Sequence, residues 1–166
     1  MTLSPAHITR RTTFLALLLL APPAAVAQAK PCPPPRVLFV CPAGSVKSAI
    51  ARETLKHAAS RRGLAVDVQS RGVTPEDHVS PGLAAQLRAD GINPAVEPLR
   101  RLESGDATHA DIVVAFDEAA QAPGLQQARV WDIPSWNSQY DGARAALAPK
   151  IEALLDELAA GGCLAP

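Results

Sequence analysis

Two apolar runs dominate the pattern of the chain, Val37–Val40 and Asp111–Phe116, the latter reading DIVVAF. Uninterrupted runs of this length predict parallel strands buried on both faces. Ala65–Ser70 instead alternates apolar with polar residues, which predicts a strand exposed on one side, at a sheet edge. A shorter strand is expected at Ala128–Trp131. Helical period appears from Ser48 to Arg62, with Ile50, Thr54, Leu55 and Ala58 on one face and Gly63 as the stop. After a loop from Gly72 to Pro81, Ser80 is placed to cap a short helix through Asp90, which Gly91 ends. A further helical piece is expected near Pro98–Ser104. The last helix is expected over Tyr140–Ala160, with Leu147, Ile151, Leu154, Leu155 and Leu158 on one face and Gly161 and Gly162 after it. Strands alternating with helices define the α/β class: a four-stranded open parallel sheet covered on both sides, three layers in all. Ligands of such sheets sit beyond the carboxyl ends of the strands.

The ends of the chain read differently. In residues 1–27, Arg10 and Arg11 precede the apolar run Phe14–Leu20 and the small residues Ala25, Val26 and Ala27, the pattern of an export signal too short to span a bilayer. Cleavage fits after Ala27 or after Ala29, and the arginine pair leaves both the general and the twin-arginine export routes open. Residues 28–35 form a stiff proline-rich lead-in, residues 36–160 the domain, and residues 161–166 a tail. The expected location is therefore periplasmic or secreted, without stable membrane insertion once the signal is removed.

Composition narrows the function classes. The chain carries 16 basic and 16 acidic residues; without Arg10 and Arg11 the balance is mildly acidic, so no nucleic-acid or membrane-surface partner is expected. With aromatics at 4% and no internal repeat, stacking platforms and solenoids are excluded as well. His57 and His109 have no metal-ligand partner at useful spacing and read as surface or boundary residues, and neither metal nor cofactor is expected.

The chemistry gathers where the first strand ends. Cys41 closes the apolar run, Pro42, Ala43, Gly44 and Ser45 let the backbone curl, and a helix follows. A thiol thus faces a helix amino terminus, whose unpaired N–H groups and positive dipole end favour anions and the nucleophilic thiolate. The Lys47-Ser48 pair also occurs in nucleotide-binding P-loops, but the glycine positions of that motif would be Cys41 and Val46, which excludes it on sterics. Trp131 and Trp136 fit either the wall of a substrate cleft or a cover for the sheet edge.

CPAGSVKS, Cys41–Ser48, preceded by VLFV and followed by AIA, resembles the phosphate loop of the low-molecular-weight protein tyrosine phosphatases and the related thioredoxin-coupled arsenate reductases. Their pattern is cysteine, five residues, arginine, then Ser or Thr. The resemblance extends over roughly Arg36–Ala160, through GIN at Gly91–Asn93, ADIVVAF at Ala110–Phe116 and WDIP at Trp131–Pro134. It implies a flavodoxin-like strand order 2-1-3-4. It also implies that Cys41 attacks phosphorus to form a phosphocysteine, that backbone amides of Ala43, Gly44, Ser45, Val46 and Lys47 hold the phosphoryl oxygens, and that the Ser48 hydroxyl stabilises the thiolate.

Three departures bear on activity. Lys47 stands where the family has arginine, keeping the charge but losing the two-pronged grip on phosphate oxygens. Ser135 and Trp136 occupy the family's Asp-Pro acid pair, which leaves Asp132, three residues away, as the candidate general acid and Asp141 as an alternative. No cysteine lies between Cys41 and Cys163, so the resolving thiols of arsenate reduction are missing. Two readings stay open: an exported phosphatase acting on a phosphomonoester, and a non-catalytic relative that binds phosphate or arsenate through the same loop. Arsenate reduction is the weaker third. Its partner is in either case a phosphorylated substrate or an inorganic oxyanion.

Cys32 precedes the first strand, and a last helix antiparallel to the strands would bring Cys163 to the same end of the sheet. In an oxidising compartment a Cys32–Cys163 disulfide is expected, closing a loop of on the order of 130 residues and contributing about 4 kcal/mol in the chain-entropy model. Only Cys41 would remain a free thiol.

Overall fold

The computed structural model describes residues 33–161. The signal segment, the first part of the lead-in, Cys32, Cys163 and most of the tail lie outside those residues, and the disulfide expected between the two cysteines lies outside them too.

The apolar run after the prolines becomes β1, Arg36–Cys41, at the centre of the sheet. It pairs in parallel with β2, Asp67–Gly72, from Arg36 against Asp67 to Cys41 against Gly72. On its other side it pairs with β3, Ile112–Phe116, and β3 pairs with β4, Arg129–Trp131. All pairings are parallel and the order is β2-β1-β3-β4. Three α-helices, α1 (Lys47–Arg61), α2 (Pro81–Ala89) and α3 (Tyr140–Ala160), follow the expected segments closely. At the head of α2, Ser80 accepts the Leu83 N–H at 3.2 Å and Pro81 takes the first helical position, where its missing N–H costs nothing.

The unbroken apolar character of β1 follows from its two cores. Val37, Phe39 and Cys41 face the side packed by Ile50 and Leu55 of α1, Leu83 and Leu87 of α2, and Leu147, Ile151 and Leu155 of α3. Leu38 and Val40 face a shallower cluster with Ala115, Ala119, Ala122 and Leu125. That second face is covered by the 3₁₀ turn Asp117–Gln121 and by Leu102, Ala107 and Ala110. β2 lies at the edge as expected but runs two residues later than Ala65–Ser70, and it alternates half-buried and buried residues.

One local expectation is corrected. Pro98–Ser104 is not helical: Gly72 N–H donates to Arg100 O at 2.9 Å and Leu102 N–H to Gly72 O at 2.8 Å, so this segment runs extended beside the end of β2. Glu97, just before Pro98, is already extended at φ −116° and ψ 146°, as a residue preceding proline prefers. The helical turn lies earlier, at Pro94–Val96, where the Asn93 side chain accepts the Ala95 N–H. The expected apolar face of α1 is buried through Ile50, Leu55 and Ala58. The helix buries Arg52 and Glu53 as well. Arg52 donates to Glu53 at 2.6 Å, to Ser70 Oγ at 2.7 Å and to Pro94 O at 2.9 Å, which satisfies its buried guanidinium and ties α1 to β2 and the 3₁₀ turn.

Candidate active site

Because β1 lies between β2 and β3, the segments leaving both neighbours flank the loop that leaves Cys41. The Cys41 thiol is 3% exposed. Its sulfur receives the Gly44 N–H at 3.1 Å and lies 3.1 Å from Ser48 Oγ. The Ser48 oxygen is also 3.2 Å from Gly44 O and 3.4 Å from Arg71 O, so its single proton can be given to the sulfur or to a carbonyl. A sulfur anion would claim that proton and the Gly44 amide together.

The loop owes its shape to the chain leaving β2. Val73 N–H donates to Cys41 O, Thr74 N–H to Pro42 O and Glu76 N–H to Ala43 O, at 3.2, 2.9 and 3.0 Å. The His78 N–H is received by Ser45 Oγ at 3.0 Å. Carbonyls are thereby engaged outward, while among the described residues the amides of Ala43, Val46, Lys47 and Ser48 donate to no protein acceptor. Three of these begin or directly precede α1, where intrahelical acceptors do not exist. Glycine is required at the contact. Gly44 has φ +80°, and a Cβ there would stand 2.8 Å from Gly72 N; a Cβ on Gly72 would stand 2.7 Å from Ala43 O.

Lys47 and Asp117 form an ion pair at 2.6 Å that sequence reading missed. Asp117 follows the last residue of β3 with φ +54°, a left-handed conformation that aspartate tolerates better than most residues. The available signal was its place: a carboxylate just beyond the end of a strand neighbouring β1. The other candidates are less closely gathered. Asp132 and Asp141 are exposed, and among the described residues neither makes a hydrogen bond or ion pair with the loop. The segment that carries Asp132 and Ser135 connects to the loop indirectly. Asn137 donates to His78 O at 2.9 Å and accepts the Ser80 N–H at 3.2 Å, next to the His78 amide that holds Ser45.

The tryptophans belong to the helix-side core. Trp131 packs against Phe39 and Phe116 at centroid distances of 5.7 and 6.1 Å, and buried Trp136 meets Tyr140 edge-on at 5.5 Å. His57 and His109 are exposed. Among the described residues no three His, Cys, Asp or Glu side chains converge in a way that could hold a metal ion.

Fold and loop together define a class, a parallel α/β domain with a buried cysteine at the end of its central strand and free backbone amides in the loop that follows. The chain belongs to the low molecular weight phosphotyrosine protein phosphatase family, whose model matches residues 36–150. No curated protein matches significantly. Among solved structures, an arsenate reductase in the phosphate-binding state is similar at 19% identity and a TM-score of 0.61, over 75% of this chain and 98% of that one. Low molecular weight tyrosine phosphatases from Streptococcus pyogenes and Vibrio cholerae O395 are 16% and 21% identical, each with a TM-score of 0.60. They align over 75% and 76% of this chain and over 93% and 98% of their own. At these identities the likeness establishes the fold.

Proposed function

We propose that this protein is an exported, cysteine-dependent phosphatase that hydrolyses a phosphomonoester through a phosphocysteine at Cys41. One observation carries the reading: the Gly44 N–H and the Ser48 hydroxyl both lie 3.1 Å from the Cys41 sulfur, in a loop whose Ala43, Val46 and Lys47 amides are unspent. The thiolate attacks phosphorus, an S–P bond forms and the ester P–O bond breaks. The free amides of Ala43, Val46 and Lys47 and the Lys47 ammonium receive the charge on the phosphoryl oxygens. The leaving oxygen takes a proton from Asp132 if that segment closes over the loop, with Asp141 as the alternative donor. Water then cleaves the S–P bond, releasing phosphate and restoring the thiolate.

4-Nitrophenyl phosphate, whose leaving group hardly needs a proton, is the substrate for the first test. Turnover with a phosphorylated Cys41 peptide trapped by acid quench, both lost in Cys41→Ser, supports the reading; turnover that survives C41S overturns it. Asp132→Asn should slow phenyl phosphate much more than the nitrophenyl ester, by about 10² or more for an acid in flight. Equal slowing of both esters would reassign that proton.

A second reading, an oxyanion-binding relative without turnover, is favoured by the Lys47–Asp117 pair and by Ser135 at the family's acid position. Titration calorimetry with inorganic phosphate and arsenate separates the two: tight binding with no hydrolysis of the nitrophenyl ester selects the binder. Arsenate reduction lacks a thiol between Cys41 and Cys163 to resolve an oxidised intermediate.

Export rests on residues 1–27. No helix among the described residues is long and apolar enough to cross a membrane. An intact-mass measurement should find a mature chain starting at Gln28 or Lys30 in the exported fraction, and non-reducing peptide mapping should find Cys32 joined to Cys163.

A further inference from the structure

Beside the loop lies a cleft of about 310 Å³ that begins at Pro42 and Ala43, the first residues after Cys41. Glu76 and His78 line it from the segment after β2, and Glu118 from the turn after β3. Since β2 and β3 flank β1, the two glutamates flank the loop from opposite neighbouring strands. No lysine or arginine lines the cleft. Glu76 pairs with the His78 ring at 2.6 Å, and Glu118 has no ion-pair partner among the described residues. Arg101 donates to the carbonyl of the lining residue Val73 at 3.1 Å, so its guanidinium borders the cleft without lining it. Lys47, the cation of the loop itself, is already matched by Asp117.

Where the ester of a phosphoryl dianion seated on the loop extends past Pro42 and Ala43, it enters a space that Glu76 and Glu118 border alongside Val73 and Ala119. The two carboxylates offer a neutral group no charge attraction, repel an anionic one and draw a cation in.

We infer that the substrate carries a positive charge beside its phosphoryl group, an ammonium or guanidinium borne by the alcohol of the phosphomonoester, and that Glu76 and Glu118 select it. The inference rests on the reading of Cys41 as the phosphoryl acceptor and adds the chemistry of the leaving alcohol. The carboxylates are positioned as specificity groups and take no part in bond breaking.

The test uses phenyl phosphates bearing an aminomethyl, a methyl or a carboxymethyl group, together with the matching benzylphosphonates, which bind but are not cleaved. The full mature chain should prefer them in the order cation, neutral, anion, both in kcat/KM and in phosphonate affinity. The extremes should differ by roughly tenfold or more at low ionic strength, as two partly exposed charge pairs allow. Raising the salt should shrink the spread, and E76Q combined with E118Q should flatten it. A flat or reversed order, with Cys41-dependent hydrolysis of the methyl compound intact, overturns this inference and leaves the phosphatase reading standing. The cationic preference appearing in phosphonate affinity without any turnover would instead sink the enzyme and keep the cleft's selectivity.

Discussion

Lys47 Nζ lies 2.6 Å from Asp117 Oδ1, joining the first residue of α1 to the first residue beyond β3 across 70 positions of sequence. The pair fixes a flexible ammonium at the edge of the amide cradle, and it also sets a carboxylate where a phosphoryl dianion would approach. Asp117→Asn should remove that opposition. For a partly exposed pair worth at most about 1 kcal/mol, phosphate should bind up to roughly fivefold more tightly. Calorimetry with inorganic phosphate measures it; weaker binding would mean that Asp117 serves by holding Lys47 in place.

Lys47→Arg should raise turnover of an aryl phosphate several-fold or more. A planar guanidinium can span two phosphoryl oxygens where an ammonium meets them as a point charge. Steady-state kinetics of the variant against wild type decide this, and no gain would show that the loop is built around lysine.

Gly72→Ala and Gly44→Ala should damage the loop, because their added methyl groups would stand 2.7 Å from Ala43 O and 2.8 Å from Gly72 N. Backbone must move, at a cost of about 1–3 kcal/mol, and phosphate affinity should fall with it. Gly91→Ala is the control. Its φ of +73° is similar to that of Gly44 but nothing lies within 4 Å of the new methyl, so it should lose about 1–2 kcal/mol of stability and no affinity. Denaturant unfolding and phosphate titration of the three variants separate loop geometry from general strain.

Tyr140 predicts an alkaline limit to stability. Burial, and then its 2.6 Å hydrogen bond to the Asp90 carboxylate, push its hydroxyl from the ordinary 10.0 up to about 12. The folded chain keeps this proton where the unfolded chain gives it up. The contribution is whole below pH 10 and disappears as pH rises through 10 to about 12. In urea melts over that range, Tyr140→Phe should show a shallower alkaline decline than wild type; parallel curves would assign the decline elsewhere.

The parts of this molecule that announce themselves in sequence are those governed by local pattern. Val37–Val40 and Ile112–Phe116 read as buried strands because each must fill two cores. The Ser80 cap and the periodic leucines of α3 give their helices away, and the cysteine, small residues and Lys47-Ser48 mark the tight loop after β1. What stayed hidden depends on partners distant in sequence. Arg52 and Glu53 look like surface charges until Ser70 and the Pro94 carbonyl enclose the guanidinium. Residues 98–104 have enough apolar spacing for a turn of helix, but the free edge beyond Gly72 gives their backbone better hydrogen bonds. Asp117 joins the site only because β3 lies next to β1.

The continuous ladder from Arg36–Asp67 to Cys41–Gly72 runs on into the bonds that shape the loop, with Val73, Thr74 and Glu76 grasping the carbonyls of Cys41, Pro42 and Ala43. A slip of one residue between β1 and β2 would bring a side chain where Gly72 now stands and turn the amides away from the thiol. Phosphate binding by the loop, as proposed, would thus be a gauge of strand alignment: refolded material that has paired its strands out of step should give itself away by leaving phosphate in solution.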